Sequence, residues 1–130
     1  MIKVVDICKS FGNQQVLKGV SMEFATGRIT TIVGTSGCGK TVLLKHLNAL
    51  LLPDRGEVLV DGVDITQLGQ KKLYEMRSRF GFLFQGAALL DSMTIFDNIA
   101  FPLREKTEMG EAQIRKKVEE RLEQVGLEGM

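Results

Sequence analysis

Eight consecutive residues, Gly34-Thr35-Ser36-Gly37-Cys38-Gly39-Lys40-Thr41, fill every required position of the pattern G-x-x-x-x-G-K-[ST]. The chemistry this spacing serves is capture of a nucleoside triphosphate. Glycines let the backbone wrap closely enough for successive N–H groups to face phosphate oxygens, Lys40 reaches the β and γ phosphates, and the Thr41 hydroxyl ligates Mg²⁺. Cys38 sits inside this loop beside Lys40, surroundings that raise a thiol's reactivity; a small residue that is merely tolerated there is the plainer alternative.

The loop needs a strand before it and a helix after it. Residues 28–33 (Arg-Ile-Thr-Thr-Ile-Val) are short, β-branched and apolar, which predicts a buried strand running into the glycines. Residues 41–52 are leucine-rich and predict a buried helix closed by Pro53. Its N-terminus adds roughly half a positive charge where the phosphates would lie.

Elsewhere, residues 1–7 and the alternating residues 19–24 predict two strands, with a turn at 25–27. Residues 56–65 predict a hairpin around Asp61-Gly62. A helix is expected over 68–79, a short parallel strand over 80–84, and a helical turn or two from Thr94 stopping near Pro102. Ile114, Val118, Leu122 and Val125 recur at helical spacing among charges, an amphipathic helix ended by Gly126.

A chain of 130 residues with 44% hydrophobic residues is one domain by size, with enough apolar material for a core. A net charge of +1 gives no long-range attraction to nucleic acid, and the clusters Lys71-Lys72 and Arg115-Lys116-Lys117 read as solvated helix faces. Two cysteines, Cys8 and Cys38, make neither a disulfide framework nor a metal site and fit a reducing cytosol. No leader-like segment opens the sequence and no apolar stretch is long enough to span a bilayer, so a membrane role is expected to come through a partner.

Two decoys imitate functional motifs. Val58-Leu-Val-Asp61 looks like an apolar run ending in a Mg²⁺-holding acid, yet it is followed by Gly62 and reads as a hairpin. His46, the sole histidine, lies about two turns into the loop helix, pointing away from the phosphates, and reads as helix surface or core.

Lys9-Ser-Phe-Gly12, Val16-Leu-Lys-Gly-Val-Ser21, the phosphate loop, Gly56-Glu-Val-Leu-Val-Asp-Gly62 and Phe84-Gln85 follow in the order and spacing of ATP-binding subunits of ABC transporters. The whole chain resembles the N-terminal portion of such a subunit, and residues 81–103 are most similar to the Mla-type subunits that drive phospholipid traffic in bacteria. The resemblance implies an α/β P-loop NTPase fold, an ABC-type nucleotide-binding domain, with an antiparallel β subdomain and an incomplete central parallel sheet. It implies ATP and Mg²⁺ as ligands. By position, Phe11 stacks on adenine, Val16 lines the same pocket, and Gln85 ligates Mg²⁺ or orients the attacking water. Read without the family, Phe11 could equally be a packing residue, and Gln85 would mean little. The family further implies a transmembrane permease, a second copy of the subunit, and a place on the inner face of the cytoplasmic membrane. Leu89, Leu90, Met93, Ile95 and Phe96 would receive a coupling helix of the permease, or else form core.

No Leu-Ser-Gly-Gly-Gln-like segment, no later apolar run ending in Asp-Glu, and no histidine after Gln85 occurs in these residues. Residues 1–130 are therefore expected to be a partial nucleotide-binding domain, able at most to bind ATP. The alternatives from the sequence are a nucleotide-binding interaction module without turnover, and a P-loop kinase for a small molecule.

Overall fold

The computed structural model describes residues 1–86 and 88–129. Ala87, inside the segment most similar to Mla-type subunits, and Met130 lie outside them. The described residues gather into two compact units, Met1–Gly81 and Phe82–Met130, where length alone predicts one.

In the first unit a long hairpin, β1 (Ile2–Phe11) and β2 (Gln14–Phe24), extends both predicted strands to a tip at Gly12-Asn13. A second hairpin, β3 (Arg55–Val60) and β4 (Val63–Asp64), turns at Asp61-Gly62 as predicted, both residues having positive φ. Among the described residues these form one antiparallel sheet in the order β2-β1-β3-β4. The acid of the first decoy sits in that turn, where its carboxylate accepts from Arg79 at 2.6 Å.

Between the hairpins lies α1 (Lys40–Leu47), and after them α2 (Gln70–Arg77). Helix α1 stops five residues short of the expected Leu52. Ala49 takes a positive φ of 53°, and the Asn48 side chain accepts the Leu50 N–H at 3.2 Å, the local competition by which asparagine ends helices. The exposed carbonyls are then capped from outside: Arg77 donates to the Asn48 carbonyl at 3.3 Å and to that of Ala49. Val4, Ile7, Leu17, Leu43, Val58, Ile65 and Leu73 bring sheet, α1 and α2 into one core.

Residues 28–33 and 80–84 do not form the strands predicted for them. A strand exists only with a ladder partner, and neither stretch has one among the described residues. Ile32 and Phe80 pack onto the core, but Ile29 is 99% exposed and Val33 87%. The antiparallel part of the expected architecture is present, and among the described residues no parallel pairing forms.

The second unit is a helical pair, α3 (Ile95–Lys106) and α4 (Glu111–Gln124). Helix α3 runs through Pro102 rather than stopping there. An interior proline costs about 3 kcal/mol. Burial of Ala100, Ile114, Val118 and Leu122, at roughly 1.5–3 kcal/mol for each larger side chain, outweighs it. Thr94 caps the helix start, accepting the Asp97 N–H at 3.0 Å. Helix α4 ends as predicted, with Gly126 at φ 72° and bonds from the Leu127 N–H to the Leu122 carbonyl and from the Gly126 N–H to that of Glu123.

His46 belongs to the core: it is fully buried, Nδ1 lies 2.6 Å from the Val42 carbonyl and so carries the proton, and Nε2 has no partner. Burial holds its pKa below the ordinary 6.5, and the nearby Lys9 ammonium acts in the same direction, while the Val42 carbonyl and Asp54 oppose. A group whose folded pKa is depressed this way binds more protons when unfolded, so stability falls as pH drops through about 6.5. The carboxylates with lowered values, Asp54, Asp61, Asp97 and Glu111, act only below about pH 4.5. The melting temperature should therefore decline between pH 7.5 and 5.5, and His46→Gln should flatten that decline. An equal slope in both proteins, followed by circular dichroism, would contradict the assignment.

Candidate functional site

The phosphate loop is built on a helix start left open for an anion. Gly39 precedes α1 with φ 99°, no side chain caps the helix, and no acidic residue stands in its first turn. Among the described residues, the N–H groups of Gly37, Gly39, Lys40 and Thr41 find no acceptor, which fits a polyanion at that position. The Lys40 ammonium turns back into the loop, donating to the Gly34 carbonyl at 2.8 Å and the Thr35 carbonyl at 2.7 Å, with Cys38 Sγ at 3.8 Å. Thr41 is exposed and, with Lys40, Arg28, Thr30 and Thr31, lines an open cavity of about 540 Å³.

Close packing explains two of the glycines. A Cβ on Gly34 would stand 2.7 Å from Cys38 Sγ, and one on Gly39 would stand 3.0 Å from both Val16 Cγ1 and Leu17 Cδ2. Val16 thus lies directly against the loop. Ser36 and Cys38 are exposed on it.

Phe11 ends β1, paired with Gln14 across the tip. It is 48% exposed and lies outside the core formed by the described residues. The Lys9 ammonium lies 5.7 Å from its ring centroid. Lys9 is itself paired with Asp54 at 2.7 Å.

Gln85 belongs to the second unit. It is exposed in a turn with Gly86, whose φ is 92°, just after Phe82 and Phe84, whose rings lie 4.6 Å apart. Downstream, the Asn98 side chain accepts the Leu90 N–H at 2.8 Å and donates to the carbonyls of Leu90, Met93 and Thr94. That amide fixes a turn exposing Leu89, Leu90, Met93 and Ile95. Phe96 departs from this group, packing into the helical pair with Arg104 and Arg115 near its ring. Asp54, Arg77 and Asn98 had no signature in the sequence; an asparagine inside a helical stretch was the one available hint.

Among the described residues no three His, Cys, Asp or Glu side chains gather as a metal site.

The family model described as ABC transporter matches residues 17–130. The chain belongs to the ABC transporter family. It is 47% identical over 128 residues to the probable ribonucleotide transport ATP-binding protein mkl of Mycobacterium leprae, covering 98% of this chain and 37% of that protein. It is 43% identical over 129 residues to the intermembrane phospholipid transport system ATP-binding protein MlaF of Haemophilus influenzae, covering 99% of this chain and 49% of the relative. The chain thus spans half or less of the length of these relatives. Among solved structures, a bacterial ABC transporter cassette in dimeric form superposes with a TM-score of 0.89 at 31% identity, over 99% of this chain and 59% of that one. A dimeric cassette bound to ADP and inorganic phosphate gives 0.86 at 31% identity, over the same shares. No helix among the described residues is long and apolar enough to cross a membrane.

Gly39→Ala should lower stability by more than the roughly 1–2 kcal/mol of a left-handed backbone alone, because the new methyl also meets Val16 and Leu17. Chemical denaturation tests it; an unchanged midpoint would mean the loop does not approach β2 so closely.

Proposed function

We propose that these residues are the ATP-binding part of a transporter ATPase that acts as a homodimer on a membrane permease, at the inner face of the cytoplasmic membrane, with phospholipid as cargo. The observation that carries the reading is the open start of α1: among the described residues, donors without acceptors, no acidic residue in the first turn, and Lys40 held by groups of the loop itself. A triphosphate satisfies all three at once. The N–H groups of the loop would face its oxygens, Lys40 would exchange the Gly34 and Thr35 carbonyls for the β and γ phosphates, and Thr41 would hold Mg²⁺. Mg²⁺ supplies charge neutralisation on those phosphates when bound. Phe11 would stack on adenine beside Val16, and Gln85 would ligate Mg²⁺ or orient water. Turnover is proposed for the whole protein and binding for these residues.

Two features support transport rather than phosphate transfer to a small molecule: the family match, and the exposed apolar turn after Gln85 that Asn98 holds in shape. Phospholipid as cargo follows from likeness to MlaF, whereas mkl carries a different cargo in its name.

Lys40→Ala should abolish most MgATP binding, while Phe11→Ala should weaken ATP by about tenfold to a few tens-fold and leave affinity for inorganic triphosphate nearly intact. Equal ATP affinity in the two variants, measured by calorimetry, would sink the site assignment. Leu89→Asp or Met93→Asp, in the whole transporter reconstituted in liposomes, should stop movement of labelled phospholipid while MgATP binding persists. Loss of folding would instead make this turn core, and movement of ribonucleotide but not lipid would overturn the cargo.

A further inference from the structure

The end of β1 that carries Phe11 has unusual support. On its β3 side the ladder stops at the pair Cys8 and Arg55, and residues 9–11 have no strand beside them there. Asp54 takes over where the strand gives out. Its N–H donates to the Cys8 carbonyl at 2.9 Å, and its carboxylate then accepts the Ser10 N–H at 2.6 Å, the next donor along that edge. The other carboxylate oxygen accepts the Lys9 ammonium at 2.7 Å, and that ammonium lies 5.7 Å from the Phe11 ring centroid. On the β2 side the register slips between Lys9 and Ser10, so the tip is not set by an unbroken ladder from there either. A single carboxylate therefore ties down both residues immediately before Phe11.

We propose that Asp54 is a positioning residue for nucleotide-base binding, holding the tip of β1 so that the Phe11 ring is presented in a fixed pose. The proposal rests on the assignment of Phe11 to the base. Asp54 touches neither the ring nor the loop glycines and acts through Ser10 and Lys9. Without it the ring would have to be ordered when the base arrives, a cost subtracted from stacking. The same two partners, Lys9 first and the Ser10 N–H second, hold the Asp54 carboxyl below its usual range, so the pair is fully formed at neutral pH.

The test compares MgATP with inorganic triphosphate, which has no base, on the full chain. Asp54→Ala should weaken MgATP about fivefold, the scale of ordering one side chain on binding, with triphosphate affinity unchanged. Asp54→Asn keeps an acceptor for the Ser10 N–H but gives up the ion pair to Lys9, and should recover only part of the loss. In a Phe11→Ala background, Asp54→Ala should change nothing further. A loss shared equally by triphosphate, or a loss that persists without Phe11, overturns the proposal as merely structural. If Phe11→Ala alone leaves ATP affinity unchanged, the base assignment fails and takes this role with it. A Phe11 effect without an Asp54 effect overturns the Asp54 role only. Should Asp54→Ala not fold, Lys9→Met removes the ion pair together with the ammonium near the Phe11 ring, and an unchanged ratio of ATP to triphosphate affinity in that variant overturns the proposal.

Discussion

At Gly39 the space where a Cβ would stand is already bounded at 3.0 Å by Val16 and Leu17 of β2. This close approach ties the start of α1 to the long hairpin. The loop that holds Lys40 and the strand that ends in Phe11 are separated in the chain by residues 12–33. With no side chain at position 39 the loop and β2 sit backbone to side chain, and a shift of α1 along its axis would have to drag β2 with it. Interiors packed to this density transmit displacement rather than absorb it.

Helix α1 is also polarised by its surroundings. Its first turn carries no acid, leaving the positive end to a ligand, while its last carbonyls face the Arg77 guanidinium of α2. The start carries no side-chain cap, whereas an uncapped last turn would leave carbonyls half-buried without donors. The eight-residue length follows: Asn48 and Ala49 terminate the helix where Arg77 can reach it.

Local chemistry was legible in the sequence where it is local in the fold. The loop-to-helix turn at Gly39-Lys40, the Asp61-Gly62 hairpin and the Gly126 stop of α4 are written in consecutive residues, and each stands where it was read. The 28–33 and 80–84 stretches illustrate the limit. Their composition is that of strands, but a ladder is a property of two segments, and no partner is present for either among the described residues. Pro102 marks the opposite case, a local breaker overruled by burial against α4. Asn98 left little trace because its partners are backbone groups, and Asp54 because one partner is a backbone N–H and the other, Lys9, is distant in sequence. A carboxylate that extends a ladder or an amide that pins a turn leaves no pattern of side-chain types to recognise.

His46 lies one helical turn and a half beyond Lys40, walled in by the core, and no other histidine occurs in the sequence. Its imidazole resonances in a magnetic-resonance spectrum therefore have a single possible assignment. Because the imidazole is fastened to the Val42 carbonyl of the same helix, those resonances report the alignment of α1 itself. The fold thus carries its own spectroscopic gauge on the element that begins at the phosphate loop, readable without attaching a label.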